Sequence, residues 1–395
     1  MSKLARLTKS RWRAIPILGV CQILAWGAIY YTPVLVVPLI AAERGWSLTL
    51  AMGGFSVGLF AAGLSSPFVG VMIDRHGGHR VMPLGALLGA AGLLAITYAA
   101  DPVLYFAVWI ALGAAMAASL YDPAFATLAR IFGADARRAI TLLTFIGGFA
   151  STVSWPATHF LIEAIGWRGT YVAYAVLLAL VSAPLLAFAL PREHAAAEIP
   201  PEGRVRARSK HLPARGVAFL LVAVAFALYA FIPSALSAHM LAIFTRAGIA
   251  SAAVVAIGAL FGPAQVTARL LEFTFARKQH PLVIARFAVG LLIAACGMLL
   301  FLGVSVLAAA SFAILFGLTN GLMTIARGTV PLALFGPTGY GRLLGRIARP
   351  ALVMQSVGPL VLAFVAERFS DPATIGLIAA FALAALACFA AIRRP

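Results

Sequence analysis

The chain is built of apolar blocks about 20 residues long, separated by short polar loops. A helix of that length crosses the roughly 30 Å hydrocarbon core of a bilayer. In lipid every backbone N–H and C=O must be satisfied within the segment, so a block of this kind folds as a helix. Twelve blocks follow one another, over roughly 14–40, 48–72, 81–100, 103–130, 139–162, 170–190, 216–240, 251–273, 282–302, 306–327, 350–367 and 372–392. Composition excludes the alternatives. Of the 395 residues 63% are hydrophobic and 11% are charged, whereas a soluble domain carries about 25% charged residues. Disorder needs the opposite balance. The expectation is an all-α membrane protein with twelve transmembrane helices.

A formal charge of +18 would suggest nucleic acid in a soluble protein. Here the cations lie in loops. With the N-terminus in the cytoplasm, 26 of the 30 Lys and Arg residues fall inside, and Arg44, Arg168, Arg246 and Arg368 fall outside. That asymmetry is the positive-inside rule. It predicts a multi-pass inner-membrane protein with both termini cytoplasmic, in contact with anionic lipid and no nucleic acid. The basic start SKLARLTKSRWR reads as a leaflet anchor. Cys21, Cys296 and Cys388 sit in separate blocks and read as small buried hydrophobes.

The charge- and proline-rich stretch from Pro191 to Gly216 breaks the apolar pattern. It divides the chain into an N-terminal six-helix bundle (1–190), a cytoplasmic linker (191–215) and a C-terminal six-helix bundle (216–395). The halves repeat. Phe132-Gly133 and Phe335-Gly336 are each followed by a proline, Pro156 and Pro359, 24 residues after the phenylalanine. An offset of 203 therefore maps the fourth and fifth spans onto the tenth and eleventh. Internal repeats of this size build many transporters, with the site between repeats.

The loop after the second span reads Gly70-Val-Met-Ile-Asp74-Arg75-His76-Gly77-Gly78-His79-Arg80. It resembles the signature G-x-x-x-D-R-x-G-R-[RK] of the major facilitator superfamily, departing at Gly78 and His79. Gly166-Trp167-Arg168 adds to the likeness. The resemblance implies two pseudo-symmetric six-helix bundles and rocker-switch alternating access. It also implies gating by Asp74 and Arg75, with Gly70 and Gly77 allowing the tight turn. Asp74 would face a helix N-terminus of the other half, where the dipole favours an anion. Ile110 stands where proton-coupled members often carry an arginine before the glycine (here Gly113), and the fifth span lacks G-P-x-x-G-G. Both departures argue against a typical drug:proton antiporter. A narrower resemblance is carried by Gly262-Pro-Ala-Gln265-Val-Thr-Ala-Arg269, similar to the G-x-x-D-x-x-A-R stretch of monocarboxylate transporters. It implies that Arg269 binds a substrate carboxylate. Gln265 replaces the aspartate, which puts a proton role there in doubt.

Charge inside the membrane is costly and marks candidate sites. Arg269 offers a planar fork to a carboxylate, or else it reaches the cytoplasmic face or pairs with Glu272 one turn away. Asp122 and Arg327 lie at matched depths of the repeat-mate fourth and tenth spans and are candidates for a gate pair. Asp122 also reads as a proton carrier, or as a partner of Arg130 or Arg137, and Pro123 should kink its helix. Gln22, Trp26 and Tyr30 share one face of the first span. They form an amphipathic stripe that could hold a substrate. Asn320, Gln355 and Tyr229 are further polar candidates in the tenth, eleventh and seventh spans. His159 and His239 lie near outer span ends. With Met240 beside His239 a soft-metal path is conceivable, although His159 has Glu163 four residues on and a lone histidine is more often a packing or gate residue.

The chain contains no G-x-S-x-G, H-E-x-x-H, phosphate loop or EF-hand run. An enzyme, a cofactor and a bound metal are therefore not expected, and neither is intrinsic ATP hydrolysis. Uphill movement would draw on a gradient, with a proton or sodium as coupling ion. The expected function is a monomeric secondary transporter of a small organic anion resembling a monocarboxylate. The alternatives are an efflux carrier for drug-like or metalloid solutes, and a non-transporting membrane sensor.

Overall fold

In the computed structural model the described residues are 11–192, 212, 216–276 and 278–393. Most of the linker and the basic start before Arg11 lie outside them. The described chain is all helix and connecting turns. Among the described residues ten stretches are long and apolar enough to cross a membrane, and one of them, Pro102–Ala189, is 88 residues long. At 1.5 Å per residue that stretch is several bilayers long, and its breaks at Leu120, Gly133, Phe149 and Gly166 fold it into three crossings. The twelve-helix architecture read from the blocks is what forms.

The first spans are α1 (Ala14–Arg44), α2 (Leu48–His76) and α3 (Gly78–Tyr98). The fourth is split into α4 (Pro102–Ser119) and α5 (Tyr121–Phe132). Pro123 has no N–H to give the Ser119 carbonyl four residues back, so the helix breaks there. Leu120 is extended at φ −82, ψ −156. The break precedes the proline by three residues, where a simple kink is the sequence expectation. The fifth span is α6 (Ala136–Gly147) followed by the first part of α7 (Ala150–Leu177). Gly166, at φ 70 and ψ 173, turns the chain into the sixth span within α7. That conformation is open to glycine and costly for other residues.

In the second half come α8 (Val217–Arg246), α9 (Ser251–Ala259), α10 (Phe261–Leu271), α11 (Pro281–Leu302), α12 (Val306–Phe335), α13 (Tyr340–Arg368) and α14 (Asp371–Ala391). Short caps start several helices. Asp101 accepts from Leu104 N at 3.0 Å, and Ser370 accepts from Ala373 N at 3.3 Å.

The helices form two compact units. One comprises the described residues up to Leu212 together with Leu334–Arg349. The other comprises the residues from Gly216 to Ala333 and from Pro350 to Arg393. The beginning of α13 thus packs as part of the first unit, although in sequence it belongs to the second half. In the second unit Pro359 leaves the Gln355 carbonyl without its helical donor. Ser234 Oγ on α8 donates to that carbonyl at 2.6 Å, and His239 Nε2 meets the Pro359 carbonyl at 3.0 Å. Arg286 on α11 donates to the carbonyls of Phe389 (2.8 Å) and Ile392 (2.9 Å) at the end of α14. A cation at a helix C-terminus also opposes the negative end of the dipole.

Candidate functional site

The second unit contains a chain of polar side chains across three helices. Tyr229 on α8 donates its hydroxyl to Asn320 Oδ1 at 3.2 Å. Asn320 on α12 donates Nδ2 to Gln265 Oε1 at 3.1 Å. Arg269, one turn further along α10, donates Nη2 to the same oxygen at 3.4 Å. Gly321 permits this approach, because a Cβ there would sit 2.5 Å from the Gln265 carbonyl oxygen. Arg269 is only 4% exposed, and its Nε and Nη1 have no hydrogen-bond partner among the described residues. It does not reach solvent, and Glu272, three residues along, is itself buried at 3%. A buried guanidinium with two unused nitrogens is an unusual state, since buried polar groups nearly always find partners.

The first unit holds the signature loop. Asp74, in the last turn of α2, accepts from the backbone N–H of Gly341 at 2.9 Å and of Arg342 at 2.7 Å. These are among the unsatisfied donors at the start of α13. The Asp74 carbonyl in turn accepts from Arg130 Nη1. Gly77 does make the tight turn, at φ 83. Gly70 does not: it lies inside α2, where a Cβ would collide with the Gly341 carbonyl. The expectation that Gly70 serves the turn is corrected to close helix packing. Arg75 is exposed at the end of α2.

The aromatic stripe of α1 is contiguous. Trp26 Nε1 donates to Gln22 Oε1 at 3.1 Å, and the Trp26 ring lies 4.8 Å from Tyr30 and 5.1 Å from Tyr121. From Trp26 to Tyr31 the helix widens to a π-turn, a local departure frequent at functional sites. Gln22 plays a different part from the one its position suggests. It is fully buried, and its Nε2 donates to the carbonyls of Ser119 (2.8 Å) and Leu120 (3.2 Å). Pro123 leaves the Ser119 carbonyl without a helical donor, and the Leu120 carbonyl has only a long bond of 3.4 Å from Ala124 N, so the Gln22 amide is occupied by the fold.

Asp122 lies in the first turn of α5 and borders a crevice of about 10 Å³ with Gly70, Ile73, Gly341, Leu344 and Gly345. That space admits about one water. Arg327 is half-buried on α12 in the second unit. Gln355 lies on α13, and its carbonyl takes the Ser234 hydroxyl; it shares no bond with the Arg269 chain. Among the described residues no three His, Cys, Asp or Glu side chains group as a metal site. His159 instead meets Glu163 at 3.3 Å.

Glu43 is not among the residues that the sequence singles out. Glu43 holds Arg168 through bonds of 2.6 and 2.7 Å and takes the Trp167 Nε1–H at 2.7 Å. The three form a cluster at the ends of α1 and the Gly166 turn. Its only sequence signal is the Gly166-Trp167-Arg168 triplet.

Twelve apolar helices, a buried cation within a polar chain and a carboxylate seated on a helix start mark a polytopic membrane protein with a polar interior. The profile of the Major Facilitator Superfamily matches residues 18–348, and the chain belongs to that family. A protein of Thermoproteus tenax, described as an uncharacterized 38 kDa protein in the 23S RNA operon, is 27% identical over 377 residues, covering 94% of this chain and 93% of its own. Among solved structures, the human organic anion transporter MFSD10 (TETRAN) superposes with a TM-score of 0.73 at 16% identity, covering 95% of this chain and 99% of that one. The proton:xylose symporter XylE superposes at 0.72 and 11% identity, covering 96% of this chain and 95% of that one. At such identities the likeness is one of fold.

Proposed function

We propose that this protein is a secondary transporter of a small organic anion, with Arg269 as the counter-ion of a substrate carboxylate. One observation carries the reading: Arg269 is buried while two of its three guanidinium nitrogens have no partner. An uncompensated buried charge costs on the order of 3–5 kcal/mol, and an entering carboxylate would relieve that cost through a bidentate pair. The fold is shared by an organic anion transporter and a sugar symporter, so the choice between them rests on the site. Sugar recognition calls for mixed donors and acceptors, whereas Arg269 only donates.

In this reading Trp26 and Tyr30 line the path for the apolar part of the substrate. Asp74, Arg75, Gly70 and Gly77 serve the gate, together with Asp122 and Arg327. The substrate moves by alternating access, with a proton or sodium ion as candidate coupling ion. The positive-inside asymmetry supports an inner-membrane location with cytoplasmic termini. A second reading, efflux of a cationic drug-like solute, is favoured by the Trp26, Tyr30 and Tyr121 rings, since aromatic faces attract cations.

The test is thermal stabilisation of the purified protein by monocarboxylates, dicarboxylates, amino acids, cationic drugs and metal ions. A ligand that binds the folded state raises its stability by mass action. Stabilisation by a carboxylate that disappears in Arg269→Gln is the expected result. Stabilisation by cationic drugs alone would transfer the assignment to the efflux reading.

A further inference from the structure

Hydrogen-bond polarity in the second unit is set from one end. A guanidinium can only donate, so the atom of Gln265 that faces Arg269 must be its oxygen. That same oxygen faces Asn320, so Asn320 must present its nitrogen, and its own oxygen is left for the Tyr229 hydroxyl. The orientation of both amides therefore follows from the chemistry of Arg269, with no free choice of flip. The oxygen of Gln265 is used twice and the oxygen of Asn320 is covered. What remains unused is a set of donors: Arg269 Nε and Nη1, and the Gln265 amide nitrogen, which makes no hydrogen bond among the described residues. Gln265 is half-exposed whereas Arg269 is buried, so the glutamine lies on the accessible side of the cation.

We infer that Tyr229, Asn320 and Gln265 are positioning residues that hold this site in a donor-only state, so that it selects ionised carboxylates and rejects neutral amides and polyols of the same size. The inference rests on the reading of Arg269 as the substrate counter-ion and adds the source of its selectivity. A carboxylate brings acceptors only and matches every unused group. A carboxamide of the same shape replaces one oxygen with an NH₂ that would point a donor at a donor. A site whose polar groups are left unpaired by the wrong ligand discriminates strongly, often by orders of magnitude. Tyr229 completes the device by covering the Asn320 oxygen, which would otherwise welcome a ligand donor. Two neighbouring hydroxyls on α12 are engaged elsewhere. Thr319 Oγ1 donates to the Ala288 carbonyl at 2.9 Å, and Thr324 Oγ1 donates to the Asn320 carbonyl at 2.7 Å.

The experiment measures dissociation constants for the full chain in detergent from the ligand dependence of its melting temperature. Propionate and lactate serve as anions, and propionamide and lactamide as their neutral isosteres. The wild type is expected to bind an anion and to prefer it at least tenfold over its amide. Asn320→Asp turns an acceptor toward Gln265 and forces that amide to rotate, so the preference should collapse to near unity. Tyr229→Phe removes one hydroxyl with little change of shape and guards against misfolding of the first variant. It should lower the preference several-fold while size-exclusion profiles stay unchanged. Retention of the full wild-type preference by folded Tyr229→Phe and Asn320→Asp overturns the inference. An anion response that persists in Arg269→Gln, or a wild type that binds no anion, instead overturns the counter-ion reading and the inference with it.

Discussion

Asp74 Oδ2 accepts the backbone N–H of Arg342 at 2.7 Å, across 268 positions of sequence. With Oδ1 on Gly341 N at 2.9 Å, one carboxylate caps the start of α13 with both oxygens. It supplies acceptors to two donors that the helix cannot satisfy itself and places a negative charge at the positive end of the dipole. Asp74→Asn keeps one acceptor and removes the charge. Charge-assisted bonds of this kind contribute about 1.5–3 kcal/mol, so the variant should melt several degrees lower in detergent. It should also transport at least tenfold more slowly in proteoliposomes. An Asn variant with wild-type stability and flux would remove Asp74 from the gate.

Gly70 and Gly77 should respond differently to the same substitution. Gly77→Ala places a side chain at φ 83 and ψ 156, a region nearly confined to glycine, which costs on the order of 1–3 kcal/mol. Gly70→Ala drives a methyl group into the Gly341 backbone, which cannot rotate away. The expected order of loss, read by melting temperature and by the yield of monodisperse protein, is Gly70→Ala well beyond Gly77→Ala. The reverse order would show that the turn constrains this loop more than the packing does.

Removing the charge at position 269 should separate stability from binding. Arg269→Gln eliminates a desolvated cation with two unpartnered nitrogens. Removing a buried charge removes its desolvation penalty, which is on the order of several kcal/mol per ion. The ligand-free variant is therefore expected to melt at or above the wild-type temperature while losing carboxylate binding. A large drop in ligand-free stability would mean that Arg269 holds the second unit together.

Gln22→Leu probes the opposite case. The substitution leaves the Ser119 carbonyl and the Trp26 Nε1–H without their partner, and the Leu120 carbonyl with only its 3.4 Å bond from Ala124 N. Each buried group left unmade costs about 1–3 kcal/mol. A fall in melting temperature with unchanged substrate affinity is expected. Unchanged stability with weakened affinity would return Gln22 to the substrate-binding residues.

Much of the fold was legible because membranes punish unsatisfied backbone so severely. Apolar blocks of span length had to become helices, and Gly45, Gly133 and Gly166 mark ends or turns that their positive φ values require. The fourth span was the harder case. Pro123 signals a disturbance, but at the full break it is Gln22, 97 positions earlier, that supplies the donor the Ser119 carbonyl has lost. No local pattern announces such a partner. The site was legible in the same uneven way. Arg269 and Asn320 stood out as polar residues in apolar blocks, while Gln22 had the same signature and a structural task.

The sequence by itself determined that this chain is a membrane protein of about twelve helices. It did so because hydrophobicity, block length and loop charge act locally. It also carried the signature by which Asp74 could be expected at a helix start. Only the tertiary structure decided that the start of α13 packs within the first unit and that Gly70 serves packing. Tertiary structure also left Arg269 with unused donors and made Tyr229, Asn320 and Gln265 one oriented chain. These outcomes depend on which distant backbones approach within hydrogen-bond reach. That distance follows from helix packing and from small residues such as Gly321, and it appears in no window of sequence.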